Sequence, residues 1–143
     1  MATSNAATNY LERRILDFIF KNNALSFASP GNSLYVGLAT AVSAAETGSL
    51  TEATFTNYAR KQVTAANWTT IGADSTDTQT AKNAANIEFA ASGGTNNTIS
   101  HVFVADASTS GNILFVGALD VSKLIADGDI FRINTGNLTI ELK

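Results

Sequence analysis

Residues Ile99 to Leu119 read ISHVFVADASTSGNILFVGAL. Two apolar runs, Ile99–Val104 and Ile113–Leu119, stand on either side of a turn-like stretch built from Ser, Thr, Gly and Asp. Each run is too short for a typical helix and is rich in Val, Ile and Phe, so both read as strands. The second run carries LFVGAL at Leu114, and the chain has written nearly the same phrase before, as LYVGLA at Leu34. The flanks of the two phrases do not align, which argues against a duplication. Both phrases are apolar on two faces, the pattern of central strands covered from both sides. Gly37 and Gly117 delete a side chain midway along each, which predicts close approach by a packed neighbour, and the N-terminal helix is the expected one.

Working outward, Tyr58–Val63, Asn86–Phe89 and Ile130–Ile133 alternate as strands, Asp127-Gly128-Asp129 is a turn, and Leu138, Ile140 and Leu142 close the chain with period two. Ala41–Asn57 and Gly72–Asn83 are long, small and polar, and read as loops of the kind that usually touch something. Short strands parted by Gly, Asn, Ser and Asp clusters predict a mainly β fold. The expected form is an antiparallel β-sandwich, jelly-roll-like, with one N-terminal amphipathic helix. The expected organisation is one domain over 1–143, with the helix near 8–22 and the sandwich from about 33. Strand order stays open.

The helix is the other strong element. Asn9 lies three residues ahead of Glu12, an approximate capping box. Leu11, Ile15, Phe18 and Ile19 share one face, and Leu16 and Phe20 widen it until the polar strip of Arg13, Arg14, Asp17 and Lys21 is narrow. Such a face is expected to pack on the sheet or on an adjacent protomer. Asn22-Asn23 suits the helix end, and Pro30-Gly31-Asn32 a turn.

Composition narrows the function. There is no cysteine, which excludes disulfides and cysteine-ligated zinc. Charged residues make up 15%, against about 25% in a typical soluble domain, and the net charge is -3. Without a dense basic patch, nucleic-acid binding is not expected. No apolar run reaches the roughly 20 residues of a membrane span, and the opening residues lack the pattern of a secretory signal, so no membrane partner is expected. A surface so poor in charge is easily desolvated against a protein neighbour.

No catalytic constellation stands out. His101 is the single histidine, set in a strand without an orienting acid or nucleophile, and a structural place is expected. Asp127-Gly128-Asp129 lacks the further ligands of a calcium loop. Gly93-Gly94 lacks the strand–glycine–helix setting of a phosphate loop. No enzyme activity, cofactor, metal or small-molecule substrate is expected. Trp68 and Tyr58 leave open a sugar-stacking platform as a distant alternative.

The order of these segments also resembles a known family. NYLERRILDFIF, LYVGLAT, NYARKQVT at Asn57–Thr64, Trp68, NIEFAA at Asn86, the Ile99–Leu119 block, the DGD turn and GNLTIEL at Gly136 follow one another as in small virion proteins of tailed bacteriophages. Members are labelled capsid decoration (cement) proteins or tail-fibre-like proteins. The resemblance implies a structural role without catalysis. The leading expectation is a decoration protein on the outer capsid surface of the virion, a homotrimer bound to the major capsid protein. The alternative is a tail or tail-fibre-associated structural or adaptor protein. Leu11, Ile15, Phe18 and Ile19 are then the helix packing or oligomer face, and Glu46, Leu50, Phe55, Arg60 and Trp68 the candidate partner contacts. Arg60 is expected to pair with a carboxylate across a subunit boundary.

Overall fold

The computed structural model describes residues 6–25, 34–69 and 79–142. The fold is mainly β, with antiparallel sheets and one helix. Its centre is the Ile99–Leu119 block. Strand β7 (Asn97–Ala105) and strand β8 (Ile113–Ile125) form an antiparallel hairpin, and β2 (Leu34–Ala44) pairs with the other edge of β7. The two echoing phrases therefore flank one central strand. The main sheet runs β1–β8–β7–β2–β3, with β1 (Ala6–Ala7) on β8, and β3 (Ser49–Glu52) and β4 (Lys61–Val63) sharing the outer edge of β2. The sheet curls into a half-barrel.

Alternation assigns the faces. Val36, Leu38, Val102 and Val104 point into one core, joined by Phe55, Val63, Ile87, Phe89, Ile99, Ile125, Phe131 and Ile133. Ala39, Phe103, Ala105 and Val116 point the other way, into a smaller cluster with Ala45. Val36–Ala39 are buried without a break, as LYVGLA predicts, and so are Val102–Ala105 on β7; LFVGAL on β8 departs from the expectation, with Leu114 and Val116 buried but Ala118 exposed, because β8 has only the two-residue β1 on its outer edge. Two short ribbons complete the larger core: β6 (Ile87–Glu88) with β9 (Arg132–Ile133), and β5 (Gln79–Lys82) with β10 (Thr139–Leu142). Between them sits the fully buried Asn83. Its Nδ2 donates to the carbonyls of Ala85 and Asn134, and its Oδ1 accepts from the Leu138 N–H at 2.9 Å. One amide thus meets backbone groups that the ribbon leaves unpaired where it is interrupted.

Several expectations shift. Ala41–Asn57 is not a loop: β2 runs on to Ala44, turns at Gly48 (φ 68°) and returns as β3. Its small side chains give alternation too little amplitude to read. Tyr58–Arg60 lies outside the strand predicted there, which begins only at Lys61. β8 extends six residues past the predicted Leu119. Along it, Ala118 faces His101 while Lys123 faces Ile99, so five steps on β8 oppose two on β7, a pronounced bulge. Of the second predicted loop, Gly72–Asn83, residues 72–78 lie outside the described residues, and the rest holds β5. The Pro30-Gly31-Asn32 turn also lies outside them.

Helix α1 (Asn9–Lys21) is capped one residue earlier than the sequence pattern suggests. Thr8, not Asn9, is the N-cap: its hydroxyl accepts from the Leu11 N–H at 3.4 Å. The same hydroxyl donates to the Ile113 carbonyl at 2.6 Å, and the Thr8 N–H donates to the Leu114 carbonyl. The Asn9 N–H donates to the Glu46 carbonyl at 2.7 Å. Asn22, in the left-handed conformation at φ 55°, ends the helix as expected.

Candidate functional site

The Tyr58-Ala59-Arg60 triplet builds the most elaborate polar cluster of the described residues. The Arg60 side chain is 6% exposed. Its Nε and Nη2 donate to the two oxygens of Glu52, each at 2.8 Å, a bidentate pair. Its Nη1 donates to the carbonyls of Ala107 and Ser110. The guanidinium lies 5.0 Å from the centre of the Phe103 ring, within cation–π range. Tyr58 donates its hydroxyl to Glu52 at 2.8 Å and accepts from the Leu38 N–H at 2.9 Å. Its ring stacks on Phe89 and meets Phe55 edge-on.

The chain arranges this by bringing three distant stretches to one side of the main sheet. Glu52 ends β3, Arg60 precedes β4, and the Ala107 and Ser110 carbonyls belong to the loop between β7 and β8. That loop is closed on itself: Asp106 accepts from both the backbone and side-chain amides of Asn112. Ser110 holds a positive φ of 53° there. Phe103, under the guanidinium, points at Gly37 on the neighbouring strand, its cross-strand partner. A Cβ at Gly37 would lie 2.2 Å from the tip of that ring. So Phe103, not the helix, is what leans on Gly37.

Electrostatics follow from the same contacts. Burial pushes the Glu52 carboxyl up, but the hydrogen bonds from Arg60 and Tyr58 and the Arg60 charge outweigh it, leaving the pKa below the ordinary value. The hydrogen bonds to Glu52 raise Arg60 against its burial. Burial, with Glu52 alongside, pushes the Tyr58 phenol well above its usual range. Each charge is answered inside the chain. The carboxylate expected across a subunit boundary from Arg60 is Glu52 of the same chain.

The remaining sequence-derived residues scatter. Phe55 is a core residue, 2% exposed, and its burial rules out the partner contact expected of it. Trp68 is half-buried against the main core, with a buried Nε1 that finds no acceptor. Tyr58 has both ring and hydroxyl engaged internally, which removes one half of the sugar platform. Leu50 packs against the smaller cluster, and Glu46 is exposed. On the helix, Leu11 is buried and Ile15 half-buried, whereas Phe18 and Ile19 are exposed, so only the first part of the expected face packs on the sheet. His101 sits in β7 with its Nδ1 beside the Ser100 hydroxyl, and burial holds its pKa below the usual value. Sequence reading missed Glu52 and Phe103. Glu52 shares no local pattern with Arg60, and Phe103 looks like any strand aromatic.

Among the described residues, no group of three or more His, Cys, Asp or Glu side chains is placed to hold a metal, and no helix is long and apolar enough to cross a membrane. A curled antiparallel sheet whose buried polar cluster serves to lock loops together has the character of a structural module. Residues 6–141 match the family described as podophage GP4 fiber I protein gp80. The chain belongs to that family and is a phage structural protein. No curated protein matches it.

Proposed function

We propose that the protein is a non-catalytic structural subunit of the fibre apparatus of a tailed-phage virion, held in place by surfaces rather than by chemistry. The match over residues 6–141 to a family described as a fibre protein carries this reading. Two features support it. The charged groups best placed for chemistry, Arg60 and Glu52, are spent on each other and on a loop. The helix, by contrast, offers the solvent a row of apolar side chains. The protein needs no cofactor and acts on no small molecule. A second reading, decoration of the outer capsid surface through contact with the major capsid protein, is favoured by the low charge and by the absence of any shaft-like repeat. Immunogold labelling of intact virions separates them. Label at the tail in few copies is the expected outcome; dense label over the head would replace the fibre reading with the capsid one.

A further inference from the structure

The large hydrophobic side chains that stand exposed among the described residues fall in two places. One is α1, where Leu16, Phe18, Ile19 and Phe20 are 53% to 73% exposed. The other is the corner at the end of β8, where Val121, Leu124 and Ile130 are 49% to 79% exposed. That corner is well built. Asp129 accepts from the Ala126 N–H through its carboxylate and returns its own N–H to the Ala126 carbonyl, which fixes the turn between Leu124 and Ile130. Val121 stands on the bulge of β8. Clustered exposed apolar side chains of this kind mark interaction sites on monomers.

The surroundings of the two patches are opposite in sign. On the helix Arg13 pairs with Asp17 at 3.7 Å, and Arg14 and Lys21 against Glu12 leave it net positive, while the rest of the chain is net negative. The corner carries exposed Asp120, Asp127 and Asp129 against Lys123, while the nearby Arg132 is paired with Glu88. The patches also lie at opposite ends of one strand. Thr8 pins the helix to Ile113 and Leu114, at the start of β8, and the corner is its last residues. With Val121, Leu124 and Ile130 at 49% to 79% exposure, the helix does not cover the corner of its own chain.

We infer that α1 of one copy docks on the Val121–Leu124–Ile130 corner of a second copy, apolar face on apolar face and basic strip toward acidic rim. Such a contact is heterologous, so each copy keeps one free helix or one free corner until a ring closes or a filament grows. The inference draws its biological setting from the fibre reading. Sedimentation of the purified chain decides the inference; labelling of virions decides that reading, so the two fail separately. Three preparations are compared: the wild type, a helix variant (Leu16→Glu with Phe20→Glu) and a corner variant (Val121→Lys with Leu124→Lys). Circular dichroism checks that each is folded. The wild type is expected to gain mass with concentration, and each variant to associate about tenfold or more weakly. Mixing the two variants should give a one-to-one complex and nothing larger, because only one intact helix and one intact corner remain. A charge pair, Arg13→Glu with Asp127→Lys in the partner copy, is the independent check should either variant unfold; added salt should weaken the wild-type complex. A wild type that stays monomeric, a corner variant that associates like the wild type, or a mixture that forms no complex would overturn the inference.

Discussion

Strand β7 and helix α1 are both strongly apolar, and they meet opposite fates. β7 has strand neighbours on both edges and a core on each face, and Val102–Ala105 are buried in succession. α1 is fixed by its cap and by Leu11, and its later turns are left uncovered. Apolar content states that a segment seeks cover; position in the fold decides whether the chain itself supplies it. In β7 the cover is internal and tight enough for an aromatic ring to occupy the space of a missing Cβ. In α1 the cover has to come from elsewhere.

The sharpest way to break this contrast is to fill the space at Gly37. Gly37→Ala places a Cβ inside the Phe103 ring position, so the ring must move, and the Arg60 guanidinium above it loses its seat. Denaturant unfolding is expected to show a loss of about 3 kcal/mol, with unaltered stability counting against the packing described. Arg60→Met comes next. It leaves Glu52 without its main partner and frees the Ala107 and Ser110 carbonyls. Since Glu52 keeps some exposure, the expected loss is about 2 kcal/mol at neutral pH. The pH dependence sharpens this. The Glu52 pKa is depressed on folding, so its contribution is fully present above the ordinary carboxylate value of 4.5 and is lost as pH falls through the lower, folded value. The wild type should therefore lose more stability on acidification than Arg60→Met does. Smallest of all is Phe18→Asp, on the exposed part of the helix. It should change the stability of the isolated chain by under about 1 kcal/mol, and a larger loss would mean that Phe18 packs within its own chain.

What the sequence reveals follows the same division. The strands around Ile99–Leu119, the LYVGLA strand and the helix are legible, because period-two and 3.6-residue patterns arise locally from which face is buried. The β2–β3 hairpin is not, because Ala41, Ser43, Ala44 and Ser49 are too small to mark a face. The Arg60 cluster is invisible for a different reason. Arg60 and Ser110 lie 50 positions apart, and they meet only once β7 and β8 have brought their loop to Arg60. The direction of the helix face was legible; its extent beyond the body was not, since a sequence does not say where the sheet ends.

Thr8 has a mechanical consequence. One residue follows β1, caps α1 and bonds twice to the start of β8. Drawing the helix off the sheet works against this joint together with the Asn9–Glu46 bond and the buried Leu11, and the load then reaches the two-residue ladder between β1 and β8.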